Sequence, residues 1–223
     1  MSERLPVHGF VLAGGKSSRM GEDKSLLRFC GRPMVEIAVE KLRGFCSEVG
    51  IAGNRDDLAE FAPVVRETWH DVGPAAGIEA GLTTARQPWT MFIPVDVPLV
   101  PGEVLQRWAV SVLDMEKVRP IALSHLCVSN EQPAFCMIRS DKVEAFRTAL
   151  ESGERRLASL FHRAEGSDVH WVHDLYDIYG FRRSDGPDAY QLDRWFINVN
   201  TPEDLATAEA WALSRLECGG SLI

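Results

Sequence analysis

Short apolar runs alternate with helical patterns through the first hundred residues. The apolar runs predict strands at residues 7–13, 48–52, 64–65 and 89–95. In the segments around them, apolar residues recur at helical spacing over 33–45, 103–115 and a glycine-containing stretch that ends at Ala85. Strands that are apolar on both faces are typical of parallel sheets covered by helices on either side. We therefore predict an α/β fold, Rossmann-like, with a doubly wound and mainly parallel sheet.

The second half of the chain continues this alternation less regularly. Strands are predicted at 120–126, 132–138 and 169–172, and helices at 140–150 and 153–161. Residues 174–193 are polar and aperiodic, which predicts a loop. Thr201-Pro-Glu-Asp204 combines a hydroxyl cap, a proline and two acids, which predicts a helix to about residue 216. Because no repeat or linker interrupts the chain, we expect a single domain over 1–223.

A glycine turn with trailing cations follows the first predicted strand. Gly14-Gly15 ends the apolar run, and Lys16, Arg19 and Lys24 come after it. Bare backbone N–H groups together with positive side chains are what a polyphosphate needs. The turn matches neither GxxxxGK[ST] nor GxGxxG, so it is not one of those two phosphate-binding loops. We predict a polyphosphate site, against the alternative of a glycine turn with solvated cations.

Polar residues stand at the ends of the other predicted strands. Asn54 follows the second strand, Asp96 follows the fourth, and Asp71 precedes a glycine-containing helix start. In a doubly wound sheet ligands bind at the carboxyl ends of the strands. Beside bound phosphates, the Asp96 carboxylate suits Mg²⁺, which takes one or two carboxylates plus phosphate oxygens. The alternatives are a cap or loop hydrogen bond for Asp96, a turn role for Asn54 and loop ordering for Asp71.

Two amides near the carboxyl terminus form a further candidate. Asn198 and Asn200 alternate with Val199, which predicts that both amides share one strand face. They either line a pocket or cap the helix that follows. The histidines lack HExxH spacing and no cysteine lies near enough in sequence to complete a zinc set, which favours structural or surface roles for them.

Composition narrows the classes of partner. The net charge is −8 and the pI is about 5.3, so no overall basic field exists to hold a nucleic-acid backbone. The sequence has no apolar run of 18 residues and no apolar signal segment at its start. We expect no membrane partner and a cytoplasmic location. Five cysteines without a CxxC pair indicate reduced thiols.

Several segments together carry a family resemblance. Residues 12–24, Leu-Ala-Gly-Gly-Lys-Ser-Ser-Arg-Met-Gly-Glu-Asp-Lys, resemble the LAGGxSxRMGxDK signature of the sugar-nucleotidyltransferase-like superfamily, whose fold is the nucleotide-diphospho-sugar transferase type. Within it, the chain resembles the molybdenum cofactor guanylyltransferase (MobA) family. That narrower resemblance adds Asp71-Val-Gly-Pro-Ala-Ala-Gly77, Pro94-Val-Asp-Val-Pro98, Gln132-Pro-Ala-Phe135, Gly153-Glu-Arg-Arg-Leu157 and Asn198-Val-Asn-Thr-Pro-Glu-Asp-Leu205.

The resemblance implies transfer of GMP from Mg²⁺-bound GTP to the terminal phosphate of molybdopterin, or molybdenum cofactor, with release of pyrophosphate. Residues 1–100 would then form a nucleotide-binding half and residues 101–223 an acceptor half. Molybdoenzyme-maturation proteins are further expected partners. The implied nucleotide contacts are Leu12, Ala13, Gly14, Gly15, Lys24, Asn54, Asp71, Gly77, Gly81 and Asp96. Arg19, Lys24 and Asp96 would be catalytic through charge neutralisation, Asp96 would hold Mg²⁺, and Asn198 and Asn200 would face the acceptor.

Three other functions stay open at this level. Cytidylyl transfer to molybdopterin and transfer to a sugar 1-phosphate keep the reaction class and change a substrate. The cytidylyl branch carries a Gly-Asp-x-Gly-Ala-Arg-like element where this chain has Gly153-Glu-Arg-Arg-Leu157, and those two arginines could instead serve the pterin. A noncatalytic nucleotide-binding module is the third alternative, and the intact Lys24 and Asp96 argue against it.

Overall fold

A seven-stranded sheet forms the centre of the protein in a computed structural model that describes residues 4–14, 24–127, 130–163, 167–171, 192 and 194–217. The strands are β1 (Leu5–Leu12), β2 (Arg28–Phe29), β3 (Arg32–Pro33), β4 (Cys46–Ala52), β5 (Val64–Val65), β6 (Trp89–Pro94), β7 (Leu123–Cys127), β8 (Glu131–Arg139) and β9 (Ser167–Trp171). The sheet order is β5-β4-β1-β6-β8-β7-β9, and β2 and β3 form a separate hairpin. Within the seven-stranded sheet, β8 runs antiparallel to both of its neighbours and the other pairs are parallel.

Helices cover both faces of the sheet. They are α1 (Met34–Arg43), α2 (Pro74–Thr84), α3 (Gly102–Glu116), α4 (Val143–Glu151), α5 (Leu157–Arg163) and α6 (Pro202–Glu217). Alternate strand residues enter opposite layers: Val11 packs in the core under α1, α3 and α6, and Phe10 in the core under α2, α4 and α5. The predicted doubly wound, mainly parallel α/β fold is therefore confirmed. Among the described helices, none is long and apolar enough to cross a membrane.

Two glycines let α2 pack directly on the sheet. A Cβ atom on Gly81 would lie 2.5 Å from Cε1 of Phe92, and one on Gly77 would lie 2.9 Å from Cδ2 of Leu12. Neither position has room for a side chain unless the helix moves outward. This close approach is a packing reason for glycine at both positions, and it places the start of α2 over the carboxyl end of β1.

The start of α5 differs from the sequence prediction. A helix was predicted from residue 153, but α5 begins at Leu157. Gly153 has a φ of +93°, a left-handed conformation that suits glycine and ends α4. The Glu154 carboxylate then accepts the backbone N–H groups of Arg155 and Arg156, at 2.9 and 3.0 Å. These contacts order residues 153–156 as an irregular turn between α4 and α5.

Other differences lie in loops. The hairpin of β2 and β3 was not predicted, since each strand has only two residues and no apolar alternation. Of the predicted loop at 174–193, all but the buried Leu192 lies outside the described residues.

Candidate active site

The carboxyl ends of neighbouring parallel strands meet at one edge of the sheet. The N–H of Ala13 donates to the carbonyl of Ala52 at 2.9 Å, which ties the end of β1 to that of β4. On the other side, the N–H of Val95 donates to the carbonyl of Leu12 at 3.2 Å. The register of the sheet therefore brings Gly14, Asn54 and Asp96 to the same edge, as the sequence predicted.

A cavity of about 520 Å³ opens at this edge between β1, β6 and the second half of the chain. Its wall contains six of the predicted site residues: Leu12, Ala13, Gly14, Lys24, Asp96 and Asn198. The second half adds Gln132, Pro133, Ala134, Phe135 and Leu157. The cavity thus joins the end of the predicted phosphate loop to segments far away in sequence.

Lys24 lines the cavity and contacts two other predicted site residues. Its ammonium Nζ lies 3.5 Å from Oδ2 of Asp96 and also donates a hydrogen bond to Oδ1 of Asn200. The Lys24 and Asp96 side chains are 22% and 23% exposed, so both charges face the cavity while remaining partly shielded. The structure therefore brings together a cation, a carboxylate and an amide that the sequence placed in three separate motifs.

Residues 197–200 do not form the strand that the sequence predicted. They are irregular, and the N–H of Val199 makes a single hydrogen bond of 2.8 Å to the carbonyl of Asp96. Val199 is nevertheless fully buried, and Asn198 lines the cavity. One buried side chain and one backbone bond, rather than a strand ladder, turn the two amides toward the site.

Glu67 is a candidate site residue that the sequence analysis missed. Its Oε1 would lie 2.3 Å from a Cβ on Gly14 and 3.2 Å from one on Gly77. The carboxylate therefore sits directly between the phosphate loop and the start of α2. Burial raises the pKa of Glu67, and the neighbouring His70 opposes that shift. A signal existed in the sequence, because Glu67 stands two residues after the short strand β5, at its carboxyl end.

Asn54, Gly77 and Asp71 are further predicted site residues that the structure describes. Asn54 accepts the backbone N–H of Glu67 at 3.2 Å, and Gly77 is buried against Leu12 and Glu67. Asp71 is exposed, with a φ of +56°, on the loop before α2. Among the described residues, the wall of the cavity includes none of these three. Gly15 and Arg19 lie outside the described residues.

The donor set near the cavity suits a metal that is shared with a substrate. Within the part of the chain that the structure describes, no three His, Cys, Asp or Glu side chains cluster as a metal site would require. Asp96 offers one carboxylate at the cavity edge. Mg²⁺ is bound in this manner when substrate phosphates and water complete its octahedron, so the residues present fit that ion.

A mainly parallel sheet with Gly14, a lysine and a carboxylate around one cavity at its edge fits a nucleotidyltransferase. Solved structures have the same fold. Molybdopterin-guanine dinucleotide biosynthesis protein A from Archaeoglobus fulgidus has a TM-score of 0.71 at 22% identity and is covered to 99%, with 93% of this chain. A CMP-2-keto-3-deoxy-manno-octonic acid synthetase complexed with CTP has a TM-score of 0.64 at 12% identity, over 94% of this chain and 99% of that one.

Sequence comparison gives the family. Residues 9–172 match the MobA-like NTP transferase domain, and the chain belongs to that family. A molybdenum cofactor guanylyltransferase from Vibrio vulnificus is 31% identical over 199 residues, which cover 87% of this chain and 91% of that protein. One from Polynucleobacter asymbioticus is 30% identical over 215 residues, with coverage of 92% and 96%. The resemblance inferred from the motifs is thereby confirmed.

Proposed function

We propose that this protein transfers GMP from GTP to the terminal phosphate of molybdopterin or the molybdenum cofactor, forming the guanine dinucleotide and pyrophosphate. The observation that carries the proposal is the shared cavity, in which Lys24 and Asp96 face Asn198 and Gln132 across one space. A transferase must hold donor and acceptor together, and this cavity is lined both by the strand ends of the first half and by segments of the second half. Relatives with this activity in their names, covered over nearly their whole length, support the choice of substrates.

The reaction needs no nucleophile from the protein. An oxygen of the acceptor phosphate attacks the α-phosphorus of GTP, and the bond from that phosphorus to the bridging oxygen of the leaving pyrophosphate breaks. Holding the two phosphates in line converts a bimolecular encounter into an oriented one. Backbone N–H groups at Gly14 and the cation of Lys24 would stabilise the charge that develops on the phosphate oxygens.

Asp96 would hold Mg²⁺ through its carboxylate. When bound, that ion supplies further neutralisation of phosphate charge as a Lewis acid. Asn200, which already accepts from Lys24, and Asn198 in the cavity wall would bind the acceptor side. In this assignment residues 1–100 supply the nucleotide-binding half and residues 101–223 the acceptor half.

Glu67 would select the base. A carboxylate only accepts hydrogen bonds, and guanine presents two adjacent donors, the N1–H and the 2-amino group. Cytosine presents acceptors at the corresponding part of its pairing edge. Glu67 lies against Gly14, which lines the cavity, and against Gly77 at the start of α2, and this proximity supports its role in base selection.

The test is a nucleotide comparison with purified protein, molybdopterin and Mg²⁺. We expect pyrophosphate release and formation of the guanine dinucleotide with GTP, and little of either with CTP or ATP. Equal turnover with GTP and CTP would contradict the base assignment while keeping the reaction class. Absence of pyrophosphate release with every nucleotide, from protein that binds GTP, would favour a noncatalytic module.

A further inference from the structure

The start of α6 is held by a reciprocal pair of side chains. The Thr201 hydroxyl accepts the backbone N–H of Asp204 at 3.1 Å, which caps the helix. In return, Oδ2 of Asp204 accepts the N–H of Thr201 at 2.9 Å. This pattern is a capping box, and either half of it satisfies backbone groups that the helix leaves open.

Asp204 also reaches beyond the capping box. The same Oδ2 accepts the backbone N–H of Asn200 at 3.0 Å, one residue before the cap. The Thr201 hydroxyl, by contrast, contacts Asp204 at the helix start. One carboxylate oxygen therefore fixes two successive peptide groups, and the second of these belongs to a predicted site residue.

The Asn200 side chain links this backbone hydrogen bond to the charged groups of the cavity. Its side-chain Oδ1 accepts from the ammonium group of Lys24, which lies 3.5 Å from the Asp96 carboxylate. The neighbouring Val199 donates its N–H to the Asp96 carbonyl at 2.8 Å. Lys24, Asp96 and residues 199–200 thus form a closed ring of contacts, and Asp204 holds that ring from outside the cavity.

The groups around Asp204 keep its carboxylate ionised. The backbone N–H of Asn200, the Thr201 contacts and the positive charge of Lys24 all lower the pKa of Asp204. The residue is consequently ionised at neutral pH, which is the state that accepts from two N–H groups.

We propose that Asp204 is a positioning residue for the transferase site: by fixing the Asn200 backbone it aims the Asn200 amide, and through it the ammonium group of Lys24, at the reacting phosphates. The proposal rests on the proposed function for its kinetic consequence. Its structural part, that Asp204 restrains Lys24, holds for the protein without substrates.

The capping box itself provides a matched control. Asp204→Ala removes the hold on Asn200 together with one half of the box. Thr201→Ala removes the other half and leaves the Asp204 carboxylate on Asn200. Both variants lose helix capping, so we expect similar decreases in melting temperature. Only Asp204→Ala should lower kcat with GTP and molybdopterin, by about tenfold or more, because a small misplacement of charged groups is costly to an in-line transfer.

A double variant separates positioning from general destabilisation. If Asp204 acts through Asn200, then Asp204→Ala added to Asn200→Ala should cost little further activity. A loss in the double variant equal to the product of the two single losses would overturn the proposal. So would equal decreases in kcat for Thr201→Ala and Asp204→Ala.

A substrate-free measurement keeps this test independent of the proposed reaction. Acylation of Lys24 by an N-hydroxysuccinimide ester, followed by peptide mass spectrometry, reports how firmly the ammonium group is held. We expect Lys24 to react several-fold faster in Asp204→Ala and Asn200→Ala than in the wild type and Thr201→Ala. If the wild type fails to use GTP while this pattern appears, the proposed function fails and the positioning role stands. Unchanged reactivity in Asp204→Ala would refute the positioning role.

Discussion

The two walls of the cavity are built by different means. The wall to which we assign the nucleotide, called here the nucleotide wall, consists of strand ends, where the hydrogen bonds of β1 with β4 and β6 fix the positions of Gly14 and Asp96. The opposite wall comes from the start of β8, the start of α5 and the irregular residues before α6. There, single contacts such as that of Val199 with Asp96 set the geometry. Substitutions in the first wall should remove groups that take part in the reaction, whereas substitutions in the second wall should misalign the substrates.

An ion pair between a buried carboxylate and a partly exposed guanidinium joins α2 to α4. Glu79 on α2 has a side chain that is only 4% exposed, and Arg147 on α4 donates to it from Nε at 3.0 Å and from a terminal nitrogen at 2.8 Å. The Thr83 hydroxyl donates to the Glu79 backbone carbonyl at 2.9 Å and lies 3.1 Å from the same carboxylate. Because α2 starts at the nucleotide wall and α4 leads into α5, this pair keeps the two walls in register. Breaking such a pair is costly because it leaves a buried charge without compensation.

Asp96→Ala should have the largest effect, because it removes the one carboxylate that lines the described cavity wall. We expect turnover to fall at least about a hundredfold, since metal-assisted charge neutralisation contributes several kcal/mol to such transfers. Thermal melting should change little, because the side chain lies at the cavity edge. Asp114→Asn, an exposed carboxylate at the end of α3, is the control and should keep full activity. Near-normal turnover in Asp96→Ala would exclude the magnesium role.

Glu67→Gln should reduce discrimination between bases more than it reduces turnover. The amide replaces one acceptor oxygen by a donor, which would face the donors of guanine. We expect the ratio of kcat/KM for GTP over CTP to fall about ten- to hundredfold, the range for one mispaired polar group. Asp71→Asn, prepared in parallel, tests the assignment made from sequence. A larger change in that ratio for Asp71→Asn than for Glu67→Gln would return the role to Asp71.

The difference between the two walls also explains which site residues could be predicted from the sequence to lie together. Gly14, Asn54 and Asp96 could be placed together because parallel strands end at one edge, a rule that needs only strand positions. Glu67 obeys the same rule, and the strand before it at 64–65 was predicted, but its contacts with Gly14 and Gly77 depend on how α2 packs against the sheet and were not predicted. The contact of Lys24 with Asn200 spans 176 positions and depends on a side-chain network, which no local pattern encodes.

In the second half of the chain, two predictions of secondary structure were wrong. Apolar and polar alternation at 198–200 predicts a strand, but these residues are irregular: the Val199 side chain is buried in the core and its N–H donates to the Asp96 carbonyl. Helical spacing was extended back to Gly153, although its left-handed backbone ends one helix before the next begins. Periodicity identifies which side chains are buried, whereas the backbone conformation of short connecting segments follows from tertiary contacts.

Lys24→Met should separate metal binding from catalysis. In the protein without substrates, the Lys24 cation lies 3.5 Å from the carboxylate that would hold the metal. Removing that competing charge should strengthen Mn²⁺ binding to the bare protein by a few-fold, while turnover falls by about tenfold or more. Electron paramagnetic resonance of free Mn²⁺ measures the first effect. Lys117→Met, on the surface at the end of α3, is the control. Weaker Mn²⁺ binding in Lys24→Met would show that Lys24 and the metal do not share Asp96.

The last prediction concerns stability and its pH dependence rather than turnover, at Lys41, which ties α1 to the segment after Asp96. Its ammonium group donates to the Pro98 carbonyl, and burial lowers the pKa of Lys41 to about 7. The unfolded chain keeps a lysine pKa of about 10.4, so between these values the unfolded state binds more protons and stability rises with pH. Relative to Lys41→Met, the wild type should gain up to about 1.4 kcal/mol per pH unit between pH 7 and 10. Denaturant unfolding at pH 7, 8 and 9 measures this difference. Parallel pH profiles would mean that Lys41 stays charged at its ordinary pKa, and that the nucleotide wall is anchored on this side by a hydrogen-bonded cation at no electrostatic cost.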